Sequence, residues 1–418
     1  HAVSFNGNLI LFGDNTQFML GSGREGLSPR TVAMSQVSNY ECDPNCAPAI
    51  GGTSVFFAYP RGNYGGLQDM VIRDPEARDL QAFDLTDSVP SYIENPFRNI
   101  ATMPQENLVI GLPKAEGGDM QDLYLYKYLD RGNERIQSAW FKFTLSSFGA
   151  AAADTQQIIG IHTVENTLYV LSRFVDSGVG EEGNSHTSIH KIEFTTEGIT
   201  DLFSQPPLLD SVVSRLGTDG VVTAAIVGDD TVFTLPYGSE GKSASDFQII
   251  TKHKTGNDGG VVLPILSGTF GTESTTLTVD TDKRTEHVWI GMKYDMTYKY
   301  ASPIFKGPSS GGGASLVTAG RYQIHSADIV YHDTNTFNVA VSVEGRSDYS
   351  YTFTADTTQV DVTSEGSVGL DSGDMRIPIH AKNDTYSMTI TSDSAYPVKL
   401  LSTEFEAQYN ARSRRVGI

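Results

Sequence analysis

The chain has little of what most protein chemistry needs. Only two cysteines occur in 418 residues, Cys42 and Cys46, spaced C-x3-C in ECDPNC. With no second pair or histidine beside them, they fall short of a structural zinc site, which takes four ligands. A short local disulfide and two free loop thiols both stay open at this point. No run of about eighteen apolar residues exists, so no transmembrane helix is expected. No amphipathic helical pattern extends beyond three turns. GxSxG, HExxH and a Cys–His pairing near a helix start are all missing. With 50 acidic residues, carboxylate pairs arise by chance, and none stands in a glycosidase-like motif. Gly228-Asp229-Asp230 lies between two short apolar runs and reads as a hairpin turn. His162, His186 and His190 fall on different elements and read as scattered surface histidines. No catalytic, metal-binding or cofactor-binding residue is assigned, and no cofactor is expected.

Positive charge is scarce as well. Lys+Arg number 30 against Asp+Glu 50, a formal net charge of −20 at pH 7. That argues against a dedicated nucleic-acid binder, whose footprint is basic. It leaves open a conduit, because a wall without cations does not hold phosphates and slow their passage.

What the chain has is turns and strand formers: 41 Gly, 17 Pro, 10% aromatics and many Thr, Ser and Val. The expected class is all-β. Residues 8–12 and 17–20 flank the turn Gly13-Asp14-Asn15, and a third run, 54–58, enters through Gly51-Gly52 and leaves through Pro60-Arg61-Gly62. Residues 84–93 suggest a short helical turn capped by Asp87 or Ser88 before Pro90. Strands at 107–111, 122–128 and 139–145, and again at 158–162, 166–171 and 188–194, repeat a cadence of about fifty residues, as propeller blades do. Tyr124, Tyr126 and Tyr128 alternate and so share one face. Beyond residue 204, short runs at 221–227, 231–235, 247–253, 275–279 and 287–292 read as a second β module. Residues 304–320 hold Gly311-Gly312-Gly313 and read as a linker or mobile loop, since no GKS or GKT follows. Runs at 321–331, 337–343, 349–354, 375–380, 386–391 and 399–409 have β-sandwich spacing. The end, with Arg412, Arg414 and Arg415, is basic against an acidic background, and reads either as a solvated tail or as a docking segment for an acidic neighbour.

Several of these runs carry a resemblance. Asp14, Gln17, Phe18, Leu20 and Leu27, then Pro48, Gly52, Val55, Phe56, Phe57 and Ala58, match two blocks of the nozzle, or tail tubular protein B, family of short-tailed bacteriophages. Residues 84–93 match its D-(I/L)-T-x-x-V-P-x-Y-I segment and residues 288–292 its V-x-I-G-(F/M) segment. Arg321, Ile324, Val330, Tyr331, Phe337, Val339, Arg376, Pro378, Tyr386, Pro397, Phe405, Glu406, Tyr409 and Arg412 match its C-terminal patterns, with Phe405 where the family often has Trp. The start His1-Ala2-Val3 lacks a Met, and the matched residues correspond to the C-terminal half of a longer chain, so the sequence reads as a fragment or processed product.

The resemblance implies partial β-propeller-like blades over 1–204, an inserted β module over 205–303, a flexible Gly-rich loop over 304–320 and a β-sandwich-like module over 321–418. It implies a structural virion protein of the phage tail: a homohexamer below a dodecameric adaptor ring, near the tail fibres. Double-stranded DNA would pass through its channel without sequence-specific binding. Lys306, Ser309, Gly311, Gly312 and Gly313 are then the candidate channel or gate loop, and Arg412, Arg414 and Arg415 the candidate subunit-docking residues. The alternative is a tail-associated capsule polysaccharide depolymerase or a glycan-binding module.

Overall fold

A computed structural model describes residues 1–21, 32–74, 79–114, 121–131, 134–145, 155–175, 185–194, 206–216, 219–252, 259–271, 273–304, 306–308, 314–316, 320–355 and 369–411. The chain is all-β. Among the described residues the only helical segments are two single 3-10 turns, Pro104–Glu106 and Ala244–Asp246. It divides into two units, His1–Thr196 and Glu197–Ile418.

The first unit is a run of antiparallel meanders. Ala2–Phe5, Asn8–Phe12, Gln17–Gly21 and Ala33–Ser38 make the first sheet; Ala49–Gly51, Ser54–Arg61, Tyr64–Asp74 and Asp79–Asp84 make the second. Phe97–Met103, Leu108–Pro113, Asp122–Arg131 and Glu134–Thr144 make the third, and Thr155–Val164, Thr167–Val175 and Ser185–Glu193 the fourth. Two-residue turns at Asn6-Gly7, Gly52-Thr53 and Gly62-Asn63 close three of the hairpins, each with its glycine at positive φ, the conformation such tight turns require.

Strand alternation welds these sheets together. Val55 and Phe57 of Ser54–Arg61 join Val3, Phe5, Ile10, Phe12 and Met19 from the first sheet. Their neighbours Phe56 and Ala58 point the other way, into a core with Phe97, Val109, Tyr124, Tyr126 and Tyr128 from the third. The third sheet's opposite face, with Leu108, Ile110, Leu112, Leu123 and Leu125, packs on Ile158, Ile161, Leu168 and Val170 of the fourth. The three tyrosines do share a face, and it is a buried one. Arg135 closes this layer, its guanidinium 4.5 Å from the Tyr128 ring centroid and 2.9 Å from the buried Asp69 carboxylate.

The link between the first two sheets carries both cysteines. Cys42 is buried in the first core and Cys46 in the second, and both are free thiols. Burial pushes them up to about 11 and about 12, so they are inert. Between them Asp43 accepts from Lys114 Nζ at 2.6 Å and from the Asn45 amide at 2.9 Å. Burial works against the Asp43 carboxylate, but these donors outweigh it and hold the group below its ordinary range.

In the second unit, Asp219–Gly220, Asp210–Leu216, Val288–Met292, Phe247–Thr251 and Val262–Leu263 line up in one sheet. Thr223–Val227, Asp230–Leu235, Thr275–Val279 and Ile265–Phe270 form another. Gly228 and Asp229 make the hairpin turn expected of them. The C-terminal part is a sandwich. One sheet runs Met296–Lys299, Tyr386–Ser392, Thr336–Val343, Tyr349–Thr354, and the facing one Asp371–Lys382, Gly320–Thr334, Leu400–Ala411. Ile324, Ile329, Ile377 and Ile379 meet Phe337, Val339, Val341, Met388 and Ile390 between them.

Two expectations need correction. Residues 85–93 form turns rather than a capped helical turn, because Asp84 takes the capping role: its Oδ1 accepts from the Thr86 amide at 2.8 Å and the Thr86 hydroxyl at 2.6 Å. His190 is half-buried against Ser188, and burial pushes its imidazole down; the His186 side chain lies outside the described residues.

Three outcomes follow from this packing. Phe57→Ala should lower unfolding stability by about 3–5 kcal/mol in chemical denaturation. Gly111→Ala should cost about 1–3 kcal/mol, because its new Cβ would lie 2.1 Å from the Phe97 ring. The Asp43 carboxylate, held low when folded, stabilises the protein above the ordinary Asp range of about 4 and loses that contribution as pH falls through its folded value. Melting curves of wild type and Asp43→Asn should therefore differ most at neutral pH and converge only as pH falls through the lowered folded value, below the ordinary Asp range.

Candidate functional site

Lys306 lies in the short strand Lys306–Pro308, which pairs with Ala314–Leu316. Ser309, Gly311, Gly312 and Gly313 belong to the connection between those strands and lie outside the described residues, as do Arg412, Arg414 and Arg415. The backbone nevertheless relates the two groups. Gly320, four residues beyond Leu316, is in register with Ala411, which immediately precedes Arg412. Gly320 and Ala411 therefore lie at the same end of the three-stranded sheet, on neighbouring strands.

The motif residues behave as pins. Gln17 is fully buried; its Nε2 donates to the Tyr40 carbonyl at 2.8 Å, and its Oε1 accepts from Ser38 Oγ at 2.8 Å and the Tyr40 amide at 3.0 Å. Asp84 Oδ2 accepts from Tyr59 OH at 2.6 Å while its other oxygen holds Thr86, and Trp140 donates to the Leu85 carbonyl at 2.9 Å. Gly291 sits where a Cβ would come within 2.8 Å of Leu209 and 2.9 Å of the Asp210 carbonyl, so two strands cross closely there. Arg376 and Glu406, from the two outer strands of the three-stranded sheet, are ion-paired, and Ser326 Oγ donates to the same Glu406 oxygen at 3.2 Å. Each of these residues fixes backbone or bridges strands.

Two open clefts escaped the sequence reading. One, of about 360 Å³, lies on the solvent face of the four-stranded sandwich sheet and is lined by Asp295, Thr297, Asn338, Thr352, Thr391 and Asp393. The other, of about 260 Å³, is lined by His325, Ser326, Arg376, Pro378, His380 and Glu406. Arg376, Pro378 and Glu406 stood in motifs. His325 and His380, whose rings approach to 5.9 Å, did not, because a register shift between Ile324 and Ser326 and a left-handed His380 bring them together. Among the described residues no group of three His, Cys, Asp or Glu side chains is placed to hold a metal ion. No helix of the described chain is long and apolar enough to cross a membrane.

Comparison with known proteins fits this pattern of structural pins. The bacteriophage nozzle protein family model matches residues 1–416. Tail tubular protein gp12 of Escherichia phage T7 is 23% identical over 422 residues, covering 99% of this chain and 49% of that protein. The chain thus spans about half the length of that relative. Among solved structures, an exo-beta-1,3-galactanase from Phanerochaete chrysosporium overlaps 88% of this chain and 97% of its own, at 10% identity and a TM-score of 0.21. A prolyl endopeptidase overlaps 74% of this chain and 42% of its own, at 9% identity and a TM-score of 0.23. Overlaps that low carry no chemistry to this chain, and the depolymerase alternative is not favoured. With a family match over residues 1–416, the chain belongs to the bacteriophage nozzle protein family.

Proposed function

We propose that this chain forms part of the distal channel through which a phage ejects its DNA, and part of the gate that closes it. The family match over residues 1–416 carries the reading. In it, six copies form a ring below a dodecameric adaptor, with tail fibres attached near that junction. The blade-like part over 1–204 and the inserted module over 205–303 build the wall, and the sandwich-like module over 321–418 presents the gate. Lys306, Ser309, Gly311, Gly312 and Gly313 narrow the lumen, and Arg412, Arg414 and Arg415 dock a neighbouring subunit through carboxylates. Gly320 and Ala411 lie side by side on paired strands, and in this reading a shift in subunit docking moves the gate loop through them.

The charge supports passage rather than grip. At −20 per chain, a ring of copies repels duplex DNA, so transit does not require breaking a series of phosphate contacts.

Antibody raised against the chain and gold-labelled should decorate the far end of the tail of purified virions, with sixfold averages there. Label on the fibres, or none on intact virions, would sink the reading. Deleting residues 309–313 should leave assembled tails but raise spontaneous DNA loss from stored virions, measured as nuclease-sensitive DNA. Unchanged retention would remove the loop from the gate.

A further inference from the structure

The C-terminal sandwich has two lateral sides, and they are finished differently. On one side the edge strand Asp371–Lys382 is closed to further pairing at its centre. Pro378 has no amide hydrogen, and its carbonyl already accepts from Tyr349 OH at 2.8 Å. Two residues on, His380 is left-handed within a register shift. Proline, a bulge and a capped carbonyl are the devices by which proteins stop edge-to-edge association.

The opposite side lacks the proline and the capped carbonyl, and the extra residue of its edge strand, Leu401, stands at the strand's start rather than its centre. Leu400–Ala411 is a twelve-residue edge strand without proline, and among the described residues it pairs on one side only, with Gly320–Thr334. It is held to the facing sheet by Tyr300, whose hydroxyl lies 2.5 Å from Thr403 Oγ1 and whose ring meets Phe405 edge-on. Two large apolar side chains are exposed on this flank: Leu401, 64% exposed at a register shift, and Tyr298, 51% exposed. A long edge without proline, with apolar exposure, can accept a further strand.

The same chain carries a suitable strand on its other flank. Tyr349–Thr354, YSYTFT, ends the four-stranded sheet and has neither a charge nor a proline. Exposed Glu404 and Glu406 of the open edge would meet no acid on it, which matters when each copy carries −20. We propose that Tyr349–Thr354 of one copy pairs with Leu400–Ala411 of a second copy, joining copies head to tail through a shared β-sheet. Because donor and acceptor lie on opposite flanks, the contact is heterologous, and such contacts close into rings when the rotation allows. The proposal rests on the nozzle reading only for the expectation that copies assemble.

Hydrogen exchange read by mass spectrometry on the whole chain tests it, across a concentration series with mass measured by light scattering. In the assembled protein, peptides covering 349–354 and 400–411 should exchange at least tenfold more slowly than in the dilute monomer. Thr403→Pro and Glu404→Pro make the second arm. Amide direction alternates along a strand, so one of the two prolines blocks the open edge while leaving the pairing to Gly320–Thr334 intact. The variant that keeps wild-type circular dichroism and melting should be monomeric. Assembly with both peptides exchanging as fast as in the monomer overturns this interface and leaves the nozzle reading standing. A wild-type chain that stays monomeric at every concentration also overturns it, and the virion labelling then judges the nozzle reading separately.

Discussion

A strand buried on both faces is the constraint on which the first unit depends. Ser54–Arg61 must satisfy two cores at once: Val55 and Phe57 on one side, Phe56 and Ala58 on the other, all essentially buried. A shift of one residue would exchange the two sets and misfit both cores. The hairpin turns on either side, Gly52-Thr53 and Gly62-Asn63, lock the register that avoids it. Once this strand is placed, the first and third sheets have only one way to stack on it. The fourth follows by the same rule through Leu123 and Leu125.

The polar side chains complete what alternation begins. Burying apolar faces between sheets leaves connections whose backbone groups still need partners. Gln17, Asp43 and Asp84 supply them, each bonding backbone groups of a connecting segment, and Asp43 adds an ion pair to Lys114. The free thiols of Cys42 and Cys46 are packing groups in the same link, lifted by burial out of the range in which a thiol reacts. Residues that catch the eye in a sequence as potential chemistry are here spent on geometry.

How much of this was legible varies with the physical signal. The hairpin at 8–20, the strand at 54–58 and the sandwich strands were readable, because period-two alternation and Gly-containing turns are local features. Asp210–Leu216 and Ile265–Phe270 were not, because neither strand buries alternate residues in a clean stripe. The Asp84 cap was missed in favour of Asp87 and Ser88, since an acid two residues before a threonine is a turn signal with no helix to flank. The clefts were invisible for a different reason: His325 meets His380 only through irregular pairing between strands some fifty residues apart in sequence. The gate and docking residues rest on family resemblance. That Gly320 and Ala411 lie side by side came from register, which no local pattern encodes.

The asymmetry of the sandwich edges bears on how such a protein can be both stable alone and competent to assemble. An open edge promotes aggregation unless its partners are restricted. Pro378, with its carbonyl held by Tyr349, closes one edge of the three-stranded sheet, while the tyrosine anchoring that cap begins the uncharged strand of the facing sheet. One flank is thus reduced to a single short usable edge, and the other offers a long one bearing Glu404 and Glu406. Two like edges of the second kind would set acid against acid, which disfavours symmetric pairing and leaves the unlike combination. In the proposed pairing, direction is built into association before any ring closes.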